Sequence, residues 1–197
     1  MSELVKVAVD AMGGDNAPFE IVKGAVEAVC ESDRIKVFLV GQEASVKAEL
    51  EKYAYDKARI EVIPASEVIT NTEHPAEAIK NKPDSSIVVA QRMVKDGLAD
   101  AFVSAGSTGA VLVGGQLIIK KLKGVKRAPL APVIPTKKGV SLLIDCGANM
   151  DPRPEHLVSF ARMGAIYMEE VIGRPNPTVA LVNVGAEDEK GNALVKE

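Results

Sequence analysis

Several stretches of this sequence end an apolar run in glycine and polar side chains, the pattern of a strand entering a ligand-handling turn. Val-Ala-Val at 7–9 leads into Asp10, Gly13, Gly14 and Asp15. Ala-Phe-Val at 101–103 leads into Ser104, Gly106, Ser107 and Thr108, and an apolar segment starts at Gly109. A helix beginning there leaves backbone N–H groups without intrahelical acceptors, and with the helix dipole these favour an anion. Hydroxyls at Ser107 and Thr108 add donors for a phosphate or an oxyanion. Farther on, 139–144 leads into Asp145, Asn149 and Asp151, and 179–184 leads into Lys190 and Asn192. A lysine offsets negative charge, and an asparagine amide orients a carbonyl. The chemistry of the set is therefore anion handling. The same residues also suit plain strand–turn–helix links, with Ser107 as an N-cap.

Sharper motifs are missing. No G-x-x-x-x-G-K-[ST] occurs, and no G-x-G-x-x-G follows the first apolar run, which weakens nucleotide and dinucleotide readings. His74 and His156 lack metal-ligand spacing. Ser104 and Ser107 do not lie in G-x-S-x-G. Asp10, Asp15, Asp145, Asp151 and Glu187 suit either magnesium ligation or turn capping; capping is favoured, and no metal or other cofactor is expected.

The elements that must position these turns alternate. Strands are expected at 4–9, 35–40, 59–63, 100–104 and 179–184, with a hairpin of 130–134 and 139–144 around a charged tip. Helices are expected at 19–31, 43–53, 76–80, 85–95, 109–123 and 155–172, where apolar residues recur at helical spacing. Pro18, Pro75 and Pro154 suit first helical turns. This order implies an α/β fold, a mainly parallel, doubly wound sheet plus an antiparallel pair, within a single domain over 1–197. In such a sheet, ligands bind beyond the carboxyl ends of the strands.

The 197 residues suffice for one sizeable core; 47% are hydrophobic and only 4% aromatic, with no Trp, so aliphatic side chains must fill it. Few aromatics and a net charge of −3 argue against nucleic acid as a partner. Cys30 and Cys146 are too few and too far apart for a disulfide framework, which suits a reduced cytoplasmic setting. No signal peptide and no apolar run of membrane-spanning length is read. Lys120, Lys121, Lys123, Lys126 and Arg127 form a basic run that is either a solvated helix end or a landing patch for an acidic partner.

Asp10-Ala-Met-Gly-Gly-Asp15, Ser104-Ala-Gly-Ser-Thr-Gly-Ala110, Asp145-Cys-Gly-Ala-Asn-Met-Asp151 and Glu187-Asp-Glu-Lys-Gly-Asn192 resemble, in order, the motifs of the PlsX family, the bacterial phosphate acyltransferases of phospholipid synthesis. Asp84-Ser-Ser86, 132–136 and Pro154-Glu-His-Leu157 agree. The resemblance implies a three-layer α/β/α sandwich similar to phosphotransacetylases and isocitrate/isopropylmalate dehydrogenases. It implies conversion of an acyl–acyl carrier protein and inorganic phosphate into acyl phosphate and free carrier protein. For that reaction, phosphate and the oxyanion are expected among Gly13, Gly14, Gly106, Ser107, Thr108 and Lys190, with Asn149, Asp145 and Asp151 shaping the site; Asp15, Ser104 and Asn192 join the substrate-binding set. The basic run becomes a candidate carrier-protein patch. Family members are longer, so the chain is expected to be the N-terminal part of a longer domain. The absent portion is expected to carry much of a homodimer surface and a segment for peripheral association with the inner membrane face. The alternatives are an acyl-coenzyme A enzyme of phosphotransacetylase type and a non-catalytic phosphate- or partner-binding remnant.

Overall fold

The computed structural model describes residues 4–185, 187 and 189–197. Ala186 and Asp188, within the expected polar loop after 184, lie outside the described residues. The chain divides into two units, Met1–Lys120 and Lys121–Glu197.

The first unit is built on four parallel strands in the order β3-β2-β1-β4: β1 Val5–Asp10, β2 Ile35–Gly41, β3 Ile60–Pro64 and β4 Ala101–Val103. Alternate side chains of these strands point to opposite faces, and both faces are covered. On one face Val37, Leu39 and Ile60 pack with Val22, Ala25, Val26 and Val29 of α1 (Phe19–Glu31) and Val46 and Leu50 of α2 (Glu43–Leu50). On the other, Ala8, Phe38 and Val40 pack with Ala90 and Met93 of α4 (Ser86–Lys95). A neighbouring cluster joins Ile79 of α3 (Pro75–Asn81) to Ile87, Val88 and Ala110, the last from α5 (Thr108–Gly114). This is the doubly wound sheet expected from the alternation, in the three-layer arrangement that the resemblance implies.

Side chains tie down the ends of these elements. The Arg59 guanidinium donates to the carbonyls of Val29 and Ser32, the last acceptors of α1. Lys82, just after α3, reaches the loop before the helix: it donates to Val68 O (2.7 Å) and pairs with Glu73 (2.7 Å). That hydrogen bond from Lys82, joined by the Thr70 N–H, lowers the Glu73 carboxyl to about 2.

The second unit holds the expected hairpin, β5 Val133–Thr136 antiparallel to β6 Gly139–Leu142. It also holds α6 (Pro154–Glu170), with Pro154 in the first turn, and the short α7 (Ala193–Lys196). Along α6, His156, Phe160, Gly164 and Met168 recur at four-residue spacing and are buried. His156 is structural: its Nδ1 accepts the Arg153 N–H at 3.0 Å.

Two expected elements differ. Residues 179–184 are not a strand; no described residue pairs with them, and Val182 and Val184 are 86% and 84% exposed. β-prone side chains alone do not make a strand, because the ladder needs a second strand's N–H and C=O groups. The helix expected over 109–123 starts one residue earlier, passes from α5 into a π-helical segment, Gly115–Ile119, and stops there. Lys120 has φ of 75°, which ends the helical path before the cations that follow. Cys30 and Cys146 are free and exposed. Among the described residues no helix is long and apolar enough to cross a membrane.

Candidate functional site

The first unit has one point where its winding reverses. From β1 the chain moves outward through β2 to β3, then returns to place β4 on the other side of β1. The crevice at the carboxyl ends of β1 and β4 is thus the topological switch point, where open α/β sheets bind ligands. Two of the four turns singled out in the sequence meet there.

Their contact is backbone to backbone. A Cβ added to Gly13 would lie 2.7 Å from Gly106 N and 2.4 Å from Asp10 Oδ2, so only glycine permits this approach. Gly14 has φ of +96°, the conformation that turns the chain back toward α1. Asp10, fully buried, locks the two turns together. Its Oδ2 accepts the Ser104 hydroxyl at 2.7 Å, and its Oδ1 accepts the Met12 N–H at 3.1 Å. Ser104 Oγ in turn accepts the Gly106 N–H at 3.0 Å. A buried carboxylate with both oxygens bonded is a rigid brace.

The brace aims the start of α5. Ser107 is its N-cap: the side-chain oxygen accepts the Ala110 N–H at 3.3 Å, and the carbonyl accepts the Val111 N–H at 3.0 Å. No described residue accepts the N–H groups of Ser107, Thr108 or Gly109. Thr108 is exposed on this turn, and Asp15 is exposed after Gly14. The arrangement offers an anion a row of backbone donors, a serine hydroxyl and a threonine hydroxyl on one rigid turn.

Gln91 extends the set of residues named from sequence, and Asp10 gains a role beyond the one read there. Asp10 read as a turn-capping carboxylate, and its bond to a serine 94 positions away is not a local pattern. Buried Gln91 on α4 donates through Nε2 to Val111 O at 2.9 Å and anchors α5 from behind. A lone amide in an otherwise apolar helix face was the available signal.

In the second unit the polar loop after β6 is internally bonded. Asp145 Oδ1 accepts the Leu130 N–H at 2.6 Å, and Oδ2 accepts the Asn149 N–H at 2.7 Å. Asn149 Nδ2 donates to Asp145 Oδ2 (3.3 Å) and Ala128 O (3.1 Å). Asp145 thus fixes Asn149, while Asp151 is exposed. Lys190 lies exposed on a turn closed by its N–H to Glu187 O at 2.9 Å, and Asn192 caps α7 by accepting the Val195 N–H at 3.2 Å.

The basic run is irregular backbone after the π-helical segment. Lys120 and Lys123 are exposed, Lys121 Nζ donates to Lys126 O (2.6 Å), and Lys126 pairs with Glu155 at 2.8 Å. The Lys126 hydrogen bond holds the Glu155 carboxyl below its usual range. Arg127 reaches Asn149 Oδ1 at 3.5 Å. Among the described residues no cluster of His, Cys, Asp or Glu has a metal-binding arrangement.

Comparison with known proteins places the sequence and the fold. A profile described as "Fatty acid synthesis protein" matches residues 5–197. The phosphate acyltransferase of Clostridium novyi (strain NT) is 50% identical over 193 residues, 98% of this chain and 58% of that protein. The phosphate acyltransferase of Alkaliphilus oremlandii (strain OhILAs) is 51% identical over 193 residues, 98% of this chain and 57% of that protein. The chain therefore spans a little under three-fifths of these relatives' length. Among solved structures, a phosphotransacetylase from Streptococcus pyogenes aligns with a TM-score of 0.65 at 19% identity, covering 87% of this chain and 55% of that one. EutD phosphotransacetylase from Staphylococcus aureus aligns at 0.61 and 21% identity, covering 84% and 53%. Those two likenesses concern the fold. With a match running from the first strand to the last helix, the chain belongs to the fatty acid synthesis protein family.

Proposed function

We propose that this chain carries out phosphate acyltransfer: acyl–acyl carrier protein plus inorganic phosphate gives acyl phosphate plus free carrier protein, for membrane phospholipid synthesis. The observation that carries the reading is the braced switch point, where Gly13 meets Gly106 and the N–H groups of Ser107, Thr108 and Gly109 face no protein acceptor. A phosphate oxygen attacks the thioester carbonyl, charge collects on the carbonyl oxygen, the C–S bond breaks, and the thiolate leaves to take up a proton. The Gly13–Gly14 turn, Ser107 and Thr108 hold the phosphate, Asp15 bounds the substrate, and Ser104 keeps the turn in shape. Preorganised donors of this kind each contribute about 10²–10³ in rate.

On the second unit, the proposal gives Asn149, fixed by Asp145, the task of orienting the acyl carbonyl. Lys190 offsets the charge of the reacting groups, and Asp151 and Asn192 bound the substrate. Lys120, Lys121, Lys123, Lys126 and Arg127 receive the acidic carrier protein. Residues 1–197 work as one α/β domain, in a cytoplasmic homodimer that associates peripherally with the membrane. The likeness to phosphotransacetylases supports a second reading, with acyl-coenzyme A as donor.

The test is phosphate-dependent release of free carrier protein from a long-chain acyl–acyl carrier protein, with hydroxylamine trapping of the acyl phosphate. Trapped product that requires phosphate supports the reading. A folded chain that yields none overturns it for these residues, and faster turnover of acyl-coenzyme A selects the second reading.

A further inference from the structure

Gln91 lies on α4 at 1% exposure, and only half of its amide is engaged. Nε2 donates to Val111 O at 2.9 Å, but no donor among the described residues meets Oε1. Buried polar atoms are almost always paired, and a bare one costs stability. Nor does the bond that Gln91 makes rescue an orphan, because Val111 O already accepts the Gly115 N–H within the helix. Oε1 lies against Gly114, where a Cβ would collide with it, so the amide reaches the helix backbone only because residue 114 is glycine. We infer that Gln91 is a positioning residue for the anion turn: acting through Val111, it fixes where the N–H groups of Ser107, Thr108 and Gly109 stand. The inference rests on the phosphate reading of that turn.

The path from amide to turn is short. On α4, Ala90 and Met93 pack onto the sheet, while Ile87 and Val88 pack with Ile79 and Ala110, so the stretch carrying Gln91 is held on both sides. Gln91 Nε2 grips Val111 by its carbonyl, and the Val111 N–H donates to Ser107 O at 3.0 Å. The residue that receives the amide is therefore the one that ties down the N-cap. Directly after Gly114 the helix becomes π-helical, from Gly115 to Ile119. Such segments are found mostly at functional sites, and a side chain bonding into the helical ladder is one cause of a change in a helix's path. An apolar side chain of the same length would fill this space with no bare oxygen. A buried glutamine that weakens the core and bonds to the helix of the site is the kind of local conflict that proteins keep for function.

The experiment compares the 197-residue wild-type chain with Gln91→Met, which keeps the length of the side chain and removes the amide. Three quantities are read: the melting temperature, hydrogen exchange of the Val111 amide without ligand, and affinity for inorganic phosphate from amide chemical shifts. The expected result is a melting temperature at or above that of wild type, faster exchange at Val111, and phosphate affinity weaker by about tenfold. Wild-type phosphate affinity in Gln91→Met overturns the inference. So does weaker binding with unchanged exchange at Val111, since the effect would then not pass through the turn. A fall in melting temperature alongside the weaker binding also overturns it, because the amide would then be structural. If Gln91→Met does not fold, Gln91→Ala combined with Gly114→Ala, in which the new Cβ takes the place of the amide, carries the same expectation. A wild-type chain without saturable phosphate shifts contradicts the phosphate reading instead. In that case faster Val111 exchange in the variant keeps Gln91 as the residue that sets the turn, and equal exchange removes it.

Discussion

The two units spend their apolar residues differently. In the first, both faces of the sheet are covered, and Leu39, Val40, Val22 and Ala8 are wholly buried. In the second, Phe160 and Met168 are the buried hydrophobic side chains among the described residues, whereas Val179, Leu181, Val182 and Val184 are largely exposed. The difference bears on chemistry. A turn that leaves a close-packed sheet inherits its rigidity, so the braced turns at the carboxyl ends of β1 and β4 are fixed in advance of any ligand. A loop that leaves a small hairpin must be held by its own hydrogen bonds, as Asp145 holds Asn149. Anion binding suits the first kind of support.

The largest effect should come from destroying the approach of the two turns. Gly13→Val places side-chain carbons where Gly106 N and Asp10 Oδ2 already sit. Overpacking of this kind costs about 1–3 kcal/mol, and phosphate-dependent turnover should disappear. Chemical denaturation and the trapping assay check the two parts. A variant with normal turnover would show that the turns need not touch.

Asp10→Ala comes next. It leaves the Ser104 hydroxyl and the Met12 N–H without their acceptor in a buried place, a loss of about 1–3 kcal/mol for buried groups left unsatisfied. The corresponding change in the second unit, Asp145→Ala, removes an exposed or half-buried acceptor and should cost less stability, about 1 kcal/mol. Equal losses in urea titrations of the two variants would erase the contrast between the units.

These expectations also mark what the sequence made legible. Strands β1 to β4 and the helices of the first unit were visible because their apolar residues fall at periods dictated by two-sided and one-sided burial. The Gly13–Gly14 and Gly106–Thr108 turns were visible because glycine and hydroxyl residues follow apolar runs. The bond from Asp10 to Ser104 was not, because it joins chain segments 94 residues apart and depends on β4 lying beside β1. Residues 179–184 have every local mark of a strand, yet strand formation depends on a partner that local composition does not encode. The end of the central helix at Ile119 was hidden for the opposite reason: Leu122 continues the apolar spacing but stays 81% exposed.

A smaller effect is expected at the basic run. Lys121→Glu with Lys123→Glu should raise the KM for acyl–acyl carrier protein about tenfold, and stability should move by no more than about 0.5 kcal/mol, as for other surface changes. The KM for inorganic phosphate should stay constant. A rise in the phosphate KM instead would assign these lysines to the anion site.

The smallest effect is a pH dependence confined to the loop before α3. Glu73 is lowered from 4.5 to about 2 by the Lys82 hydrogen bond and the Thr70 N–H. A lowered carboxyl contributes stability in full above 4.5 and loses it as pH falls toward 2. Between those limits Glu73→Gln should flatten the acid-induced rise in protease cleavage within 66–74. Because the pair is partly exposed, the change should be modest and salt-sensitive. An identical acid response in the variant would separate the loop from this carboxylate.

The central claim is that the switch point of the first unit binds phosphate through its braced turn. The most direct measurement is a titration of the ¹⁵N-labelled chain with inorganic phosphate, followed by amide chemical shifts. The expected result is saturable movement, largest at Ser107, Thr108 and Gly109 with Gly13 and Gly14 close behind, and absent in Gly13→Val. Saturable shifts centred elsewhere, or no shifts in a folded chain, would contradict the assignment of this crevice as the phosphate site.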